Sequence, residues 1–96
     1  MVTLIAKLKA VVGKEAILAG ECVKIAMEVR EKENGCLMYV PHVSTENPGE
    51  IVFVEKYESQ EALDAHLQTA HFKALAKKFK DLLDGPPVLQ FYKELA

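Results

Sequence analysis

The chain has no tryptophan, one arginine and two cysteines among its 96 residues. With Arg30 alone and a net charge of −2 from 12 basic and 14 acidic residues, no basic stripe is available to neutralise phosphates, which excludes a nucleic-acid partner. Cys22 and Cys36 lie in apolar periodic segments, at neither CxxC nor metal-ligand spacing; they read as free thiols acting as small hydrophobes rather than as a disulfide. The five glycines are scattered, so no phosphate-cradling loop exists. There is no GxSxG and no Ser-His-Asp order of a hydrolase, and no cluster offers three ligands at metal spacing. No apolar run approaches the roughly 20 residues that span a bilayer. Met1 leads directly into alternating residues followed by Lys7, so no leader peptide is read and a soluble, cytoplasmic protein without a membrane partner is expected.

What is present is a well-patterned small domain, residues 1–96, half of it hydrophobic. A chain this short buries a core yet leaves much apolar surface uncovered. Residues 2–10, VTLIAKLKA, read as a strand with a partly solvated face, ended by Gly13. From Lys14 to Glu33 the apolar residues Leu18, Cys22, Ile25 and Val29 recur at spacings of four, three and four, the single stripe of an amphipathic helix. Asn34-Gly35 supplies a stop, since both residues tolerate positive φ. Cys36 to Val43 is a second strand, the polar STENPGE of residues 44–50 a hairpin loop, and Ile51 to Tyr57 a third strand. Ser59 is placed to cap a helix carrying Leu63 and Leu67 on one face. Thr69 is placed to cap its continuation through Phe72, Leu75, Ala76, Phe79, Leu82 and Leu83, with Lys73, Lys77, Lys78 and Lys80 on a solvated face. Asp84-Gly85-Pro86-Pro87 ends that helix and Val88 to Lys93 forms the last strand.

The order β-α-β-β-α-β is that of a ferredoxin-like α+β sandwich. Its sheet carries apolar residues on both parities, for example Leu37 and Met38 or Val52 and Phe53. Helices cover one face; a second copy of the sheet in a C₂ homodimer is the simplest cover for the other.

Residues able to do acid–base chemistry concentrate between Gly35 and Phe72. Alternation puts Leu37, Tyr39, Pro41 and Val43 on one face of the second strand and Met38, Val40 and His42 on the other. Glu55 interrupts an apolar strand, and a carboxylate there must be paired, hydrogen-bonded or wet. It reads either as the partner of a lysine near the strand end or as part of a site. His66 lies close to the apolar stripe of its helix, either as a satisfied core histidine or as a base facing Tyr39 and Glu55. His71, five residues on, falls about 500° further round a continuous helix, off the face of His66, and beside Thr69 it serves the kink.

The set Gly35-Cys36-Leu37-x-Tyr39-x-x-His42, Glu55-x-Tyr57-x-Ser59 and Glu61-Ala62-Leu63-x-x-His66-Leu67-x-Thr69-x-His71-Phe72 resembles the antibiotic biosynthesis monooxygenase-like family over nearly the whole domain. The resemblance implies a dimeric ferredoxin-like α+β barrel with a cavity between sheet and helices. It also implies a monooxygenase that oxidises a small quinol or phenolic aromatic with O₂ and needs no flavin, haem or metal cofactor. His66 would be the base, Tyr39 a hydrogen-bond donor to the substrate oxygen and Glu55 an orienting partner. Phe53, Leu63, Leu67, Phe72 and Phe79, with His42 and His71, would wall the substrate. The pattern of the haem-degrading members is not matched: there is no tryptophan, no asparagine between Met1 and Ala10, and Ala76 stands where a ligand is expected. Isomerisation of a small carbonyl metabolite, through the same enolate-like anion, and ligand binding without chemistry are the alternatives.

Overall fold

A computed structural model describes residues 1–96. The strands are β1 (Val2–Lys9), β2 (Cys36–Val43), β3 (Glu50–Tyr57) and β4 (Val88–Tyr92), and the helices α1 (Glu15–Lys32), α2 (Gln60–Leu67) and α3 (Ala70–Leu82). The sheet order is β2-β3-β1-β4 with every neighbouring pair antiparallel. This is the ferredoxin-like α+β arrangement expected from the element order, with the second helical unit split in two. No helix is long and apolar enough to cross a membrane.

The core lies between the sheet and the helices. Leu4, Ala6 and Leu8 of β1 and Ile51, Phe53 and Tyr57 of β3 meet Leu18, Cys22, Ile25 and Val29 of α1, all buried. The four-three-four stripe therefore faces the sheet as its spacing requires. Ser59 and Thr69 both act as caps: the Ser59 hydroxyl accepts from the Ala62 N–H at 3.1 Å and the Thr69 hydroxyl from that of Phe72 at 3.2 Å.

Two local expectations are corrected. Only Gly13 and Gly85 have positive φ, so α1 does not end through a left-handed residue at Asn34-Gly35; Glu33 closes it in an extended conformation. Gly35 is required for a different reason. A Cβ there would sit 2.8 Å from that of Ala62, because the chain entering β2 passes directly against α2. Gly35→Ala is expected to destabilise the fold by about 1–3 kcal/mol, read as a lower urea midpoint at unchanged m-value.

The second correction concerns β2. Cys36 pairs with Tyr57 but Met38 pairs with Lys56, so Leu37 is an extra residue in a β-bulge and is 53% exposed rather than aligned with Tyr39. The bulge has a consequence, because a one-residue change of register moves a side chain to the opposite face. With it, Tyr39 stands opposite Glu55 and is buried on the helix side.

Candidate active site

An apolar cavity of about 150 Å³ opens between the sheet and the helices α2 and α3. Its wall includes Leu4, Ala6, Leu8, Phe53, Leu63, Leu67, Phe72, Leu75 and Phe79, and three residues with polar groups reach it: Tyr39, Glu55 and His66. Leu89 and Phe91 of β4 also line it, yet they are 53% and 59% exposed. The helix layer stops short of β4, so the cavity has its open side there.

His66 sits in the last turn of α2, 2% exposed. Its ring packs against three aromatics, with centroids 5.1 Å from Tyr39, 5.5 Å from Tyr57 and 5.1 Å from Phe72. Its Nδ1 lies 3.0 Å from both carboxylate oxygens of Glu33. A carboxylate only accepts, so with Glu33 as its partner the Nδ1 of His66 is the protonated nitrogen and Nε2 is the one left with a lone pair. Burial lowers the basicity of the imidazole below its ordinary 6.5, and the Glu33 hydrogen bond opposes that shift.

Glu55 is 6% exposed, and its Oε1 accepts from the Tyr57 hydroxyl at 2.7 Å. Desolvation raises its carboxyl to about 7, with the Tyr57 hydrogen bond pulling the other way and the Glu33 charge adding to the rise. No lysine holds it: the lysine reading is replaced by a buried tyrosine. Tyr39 is held above the ordinary phenol range, first by burial and then by the Glu55 charge. It is therefore a neutral donor at physiological pH. Cys22 and Cys36 are free, with burial pushing their thiols up to about 12 and about 11. Neither is a nucleophile.

Of the residues singled out from the sequence, Tyr39, Glu55, His66, Phe53, Leu63, Leu67 and Phe72 reach one cavity. Two do not. His42 pairs across to Val52 on the other face of the sheet, exposed, with Nδ1 3.0 Å from the carbonyl of Val40. His71 is outside the cavity wall; its Nε2 contacts Glu33 Oε2 and its Nδ1 lies 3.8 Å from Glu28. The continuous-helix arithmetic fails for His71 because Gln68 and Thr69 interrupt the helix. The Thr69 hydroxyl donates to the His66 carbonyl at 2.7 Å while capping α3, and this restart turns both imidazoles toward α1.

The orienting carboxylate of His66 is thus Glu33, not Glu55. Glu33 was not singled out in the sequence, although one signal was available: a carboxylate at a helix C-terminus opposes the helix dipole and needs a compensating partner.

The family model for antibiotic biosynthesis monooxygenase matches residues 1–78. The chain is 36% identical to the probable quinol monooxygenase YgiN of Escherichia coli, over 88% of this chain and 90% of that protein. It is 31% identical to the uncharacterized protein sll1783 of Synechocystis over 70% of this chain, and spans 46% of that longer protein. Among solved structures, PA3566 of Pseudomonas aeruginosa superposes with a TM-score of 0.92 at 27% identity, over 99% of this chain and 94% of that one.

Proposed function

The chain belongs to the antibiotic biosynthesis monooxygenase family, and from that premise we propose that it oxidises a small quinol or phenolic ring with O₂, using no bound cofactor. The observation that carries this reading is the meeting of Tyr39, Glu55 and His66 on an otherwise apolar cavity of about 150 Å³. A cavity of about 150 Å³ walled mainly by Leu and Phe side chains is large enough for a single aromatic ring. The probable quinol monooxygenase YgiN, 36% identical to this chain, supports the substrate class.

In this mechanism His66 Nε2 removes the proton of a quinol hydroxyl while Glu33 retains the Nδ1 proton and stabilises the imidazolium that forms. Tyr39 donates to the oxygen that becomes anionic. The water-poor wall strengthens both interactions. The quinolate is itself the reductant: it passes electrons to O₂, one oxygen atom is added to the ring and the other leaves as water. One O₂ is consumed per hydroquinone converted to hydroxyquinone. Glu55 sets the polarity beside the substrate oxygen rather than orienting the base.

A second copy packed on the uncovered face of the sheet, near the open side of the cavity at β4, completes the proposal. Light scattering should give twice the chain mass at micromolar concentration; a monomer rejects the dimer. For the activity, oxygen uptake is measured with a panel of hydroquinones on chelator-treated protein. Uptake reduced by Tyr39→Phe is the expected result. No uptake across the panel, with saturable ligand binding, would leave a binding protein, and solvent deuterium exchange without uptake an isomerase.

A further inference from the structure

Behind the cavity, the end of α1 and the junction of α2 with α3 gather a second set of side chains. Glu33, His66 and His71 each present a ligating atom, and the three atoms lie within 4.8 Å of one another. His66 Nδ1 is 3.0 Å from each Glu33 oxygen, and His71 Nε2 contacts Oε2. Their side chains are 2%, 10% and 8% exposed for His66, Glu33 and His71. Spacing along the chain offers no three-ligand cluster; residues distant in sequence meet here.

We propose that Glu33, His66 and His71 bind a borderline divalent metal ion of the Zn²⁺ type. Two imidazoles and one carboxylate suit such ions, and three protein ligands leave a further position for water. Ligands about 2.0–2.2 Å from an ion lie about 3.0–3.5 Å from one another, a range that contains the 3.0 Å His66–Glu33 separations. A second observation concerns the far side of His71. With Nε2 toward the ion, its Nδ1 faces Glu28 at 3.8 Å, longer than a hydrogen bond but in the carboxylate–histidine–metal order, so that a small closure on metal binding would let Glu28 orient the ring. Thr69 adds rigidity: by bonding the His66 carbonyl and the Phe72 N–H, it sets the spacing between the two histidines. A divalent ion would also offset the unfavourable placement of Glu33 at a helix C-terminus.

Occupancy has a chemical consequence, which rests on the assignment of His66 as base; the binding itself does not. An ion on Nδ1 requires neutral imidazole to carry its proton on Nε2, the nitrogen left for the cavity. That nitrogen then donates instead of accepting. The metal-loaded protein is therefore a non-oxidising form, and affinity for the ion falls with acid as the imidazoles protonate.

The test titrates the chelator-treated 96-residue chain with Zn²⁺ by calorimetry and with Co²⁺ by visible absorption. One ion per chain is expected, with d–d bands of a low-coordinate site. Glu33→Gln and His71→Ala each weaken binding by more than about 100-fold and Glu28→Gln by about tenfold, the outer-shell effect being about 10–100-fold. His42→Ala, on the opposite face of the sheet, leaves affinity unchanged. Histidine ring ¹⁵N resonances of the unsubstituted protein give a readout that needs no variant: those of His66 and His71 shift with Zn²⁺ and those of His42 do not. No stoichiometric binding, binding unaffected by Glu33→Gln and His71→Ala, or shifts confined to His42 would overturn the site. Stoichiometric binding that leaves oxygen uptake unchanged would keep the site and remove His66 as the base.

Discussion

His66→Ala is expected to lower quinol-dependent oxygen uptake by about 10²–10⁴-fold in kcat, the usual contribution of a positioned base, with a much smaller change in KM. The imidazole is almost wholly buried, so desolvation keeps it neutral at pH 7. Glu33 fixes which nitrogen carries the proton. A neutral ring with a defined tautomer is what a base requires; an ionised one would have no lone pair to offer. Glu33→Gln separates positioning from chemistry. Because the Glu33 hydrogen bond and charge hold the basicity of His66 up, their loss shifts the acid limb of the kcat/KM profile to lower pH and lowers kcat by less than His66→Ala. Glu55 titrates near 7 beside the same cavity, so Glu55→Gln is the control: an acid limb due to His66 survives it. An oxygen-electrode profile in which His66→Ala keeps wild-type kcat would rule out the base assignment. Circular dichroism on each variant guards against a trivial loss through misfolding.

The second large effect is on stability rather than rate. Glu55 has a carboxyl raised from 4.5 to about 7 in the folded protein. In the unfolded chain it ionises first, so between pH 4.5 and 7 the folded state binds more protons and stability falls as pH rises. The contribution is fully present below pH 4.5 and is lost as pH passes through about 7, a change of about 3 kcal/mol at 1.36 kcal/mol per unit. His66 works in the opposite sense. Its lowered folded value means that its contribution is present above pH 6.5 and is lost as pH falls from there through the lower folded value. The two overlap, so the Glu55 component is isolated by comparing wild type with Glu55→Gln. Glutamine keeps an acceptor for Tyr57 and cannot ionise. The difference in unfolding free energy between the two proteins should change by about 3 kcal/mol from pH 4.5 to 8, in favour of the variant at the alkaline end. For a domain of this size that corresponds to more than about 10 °C in Tm. A pH-independent difference would mean that Glu55 is ionised in the folded state throughout.

These expectations draw on two kinds of information. Periodicity carried the fold: Leu18, Cys22, Ile25 and Val29 at helical spacing, Ile51, Phe53, Glu55 and Tyr57 alternating on one strand, and Ser59 and Thr69 ahead of their helices were each legible, because a face buried against one layer imposes a period on its own segment. The same logic offered Tyr39 and Glu55 as partners for His66, while the cavity they share was implied by the family resemblance. Periodicity failed where a local irregularity breaks it. The bulge at Leu37 resets β2, and the interruption at Gln68-Thr69 resets the helical phase, which brought His71 to the Glu33 carboxylate beside His66 where a continuous helix would have turned it away. His42 was misplaced for another reason: alternation already put it on the face opposite Tyr39, and only the family resemblance assigned it to the cavity wall.

Residue pattern alone therefore decided the α+β order, the buried stripes and a carboxylate that interrupts an apolar strand, since each follows from how one segment divides its faces between water and core. Only the tertiary structure decided that Glu33, 33 residues before His66 and 38 before His71, holds both imidazoles. That pairing depends on where three helix ends meet in space, and no spacing along the chain encodes a distance between elements.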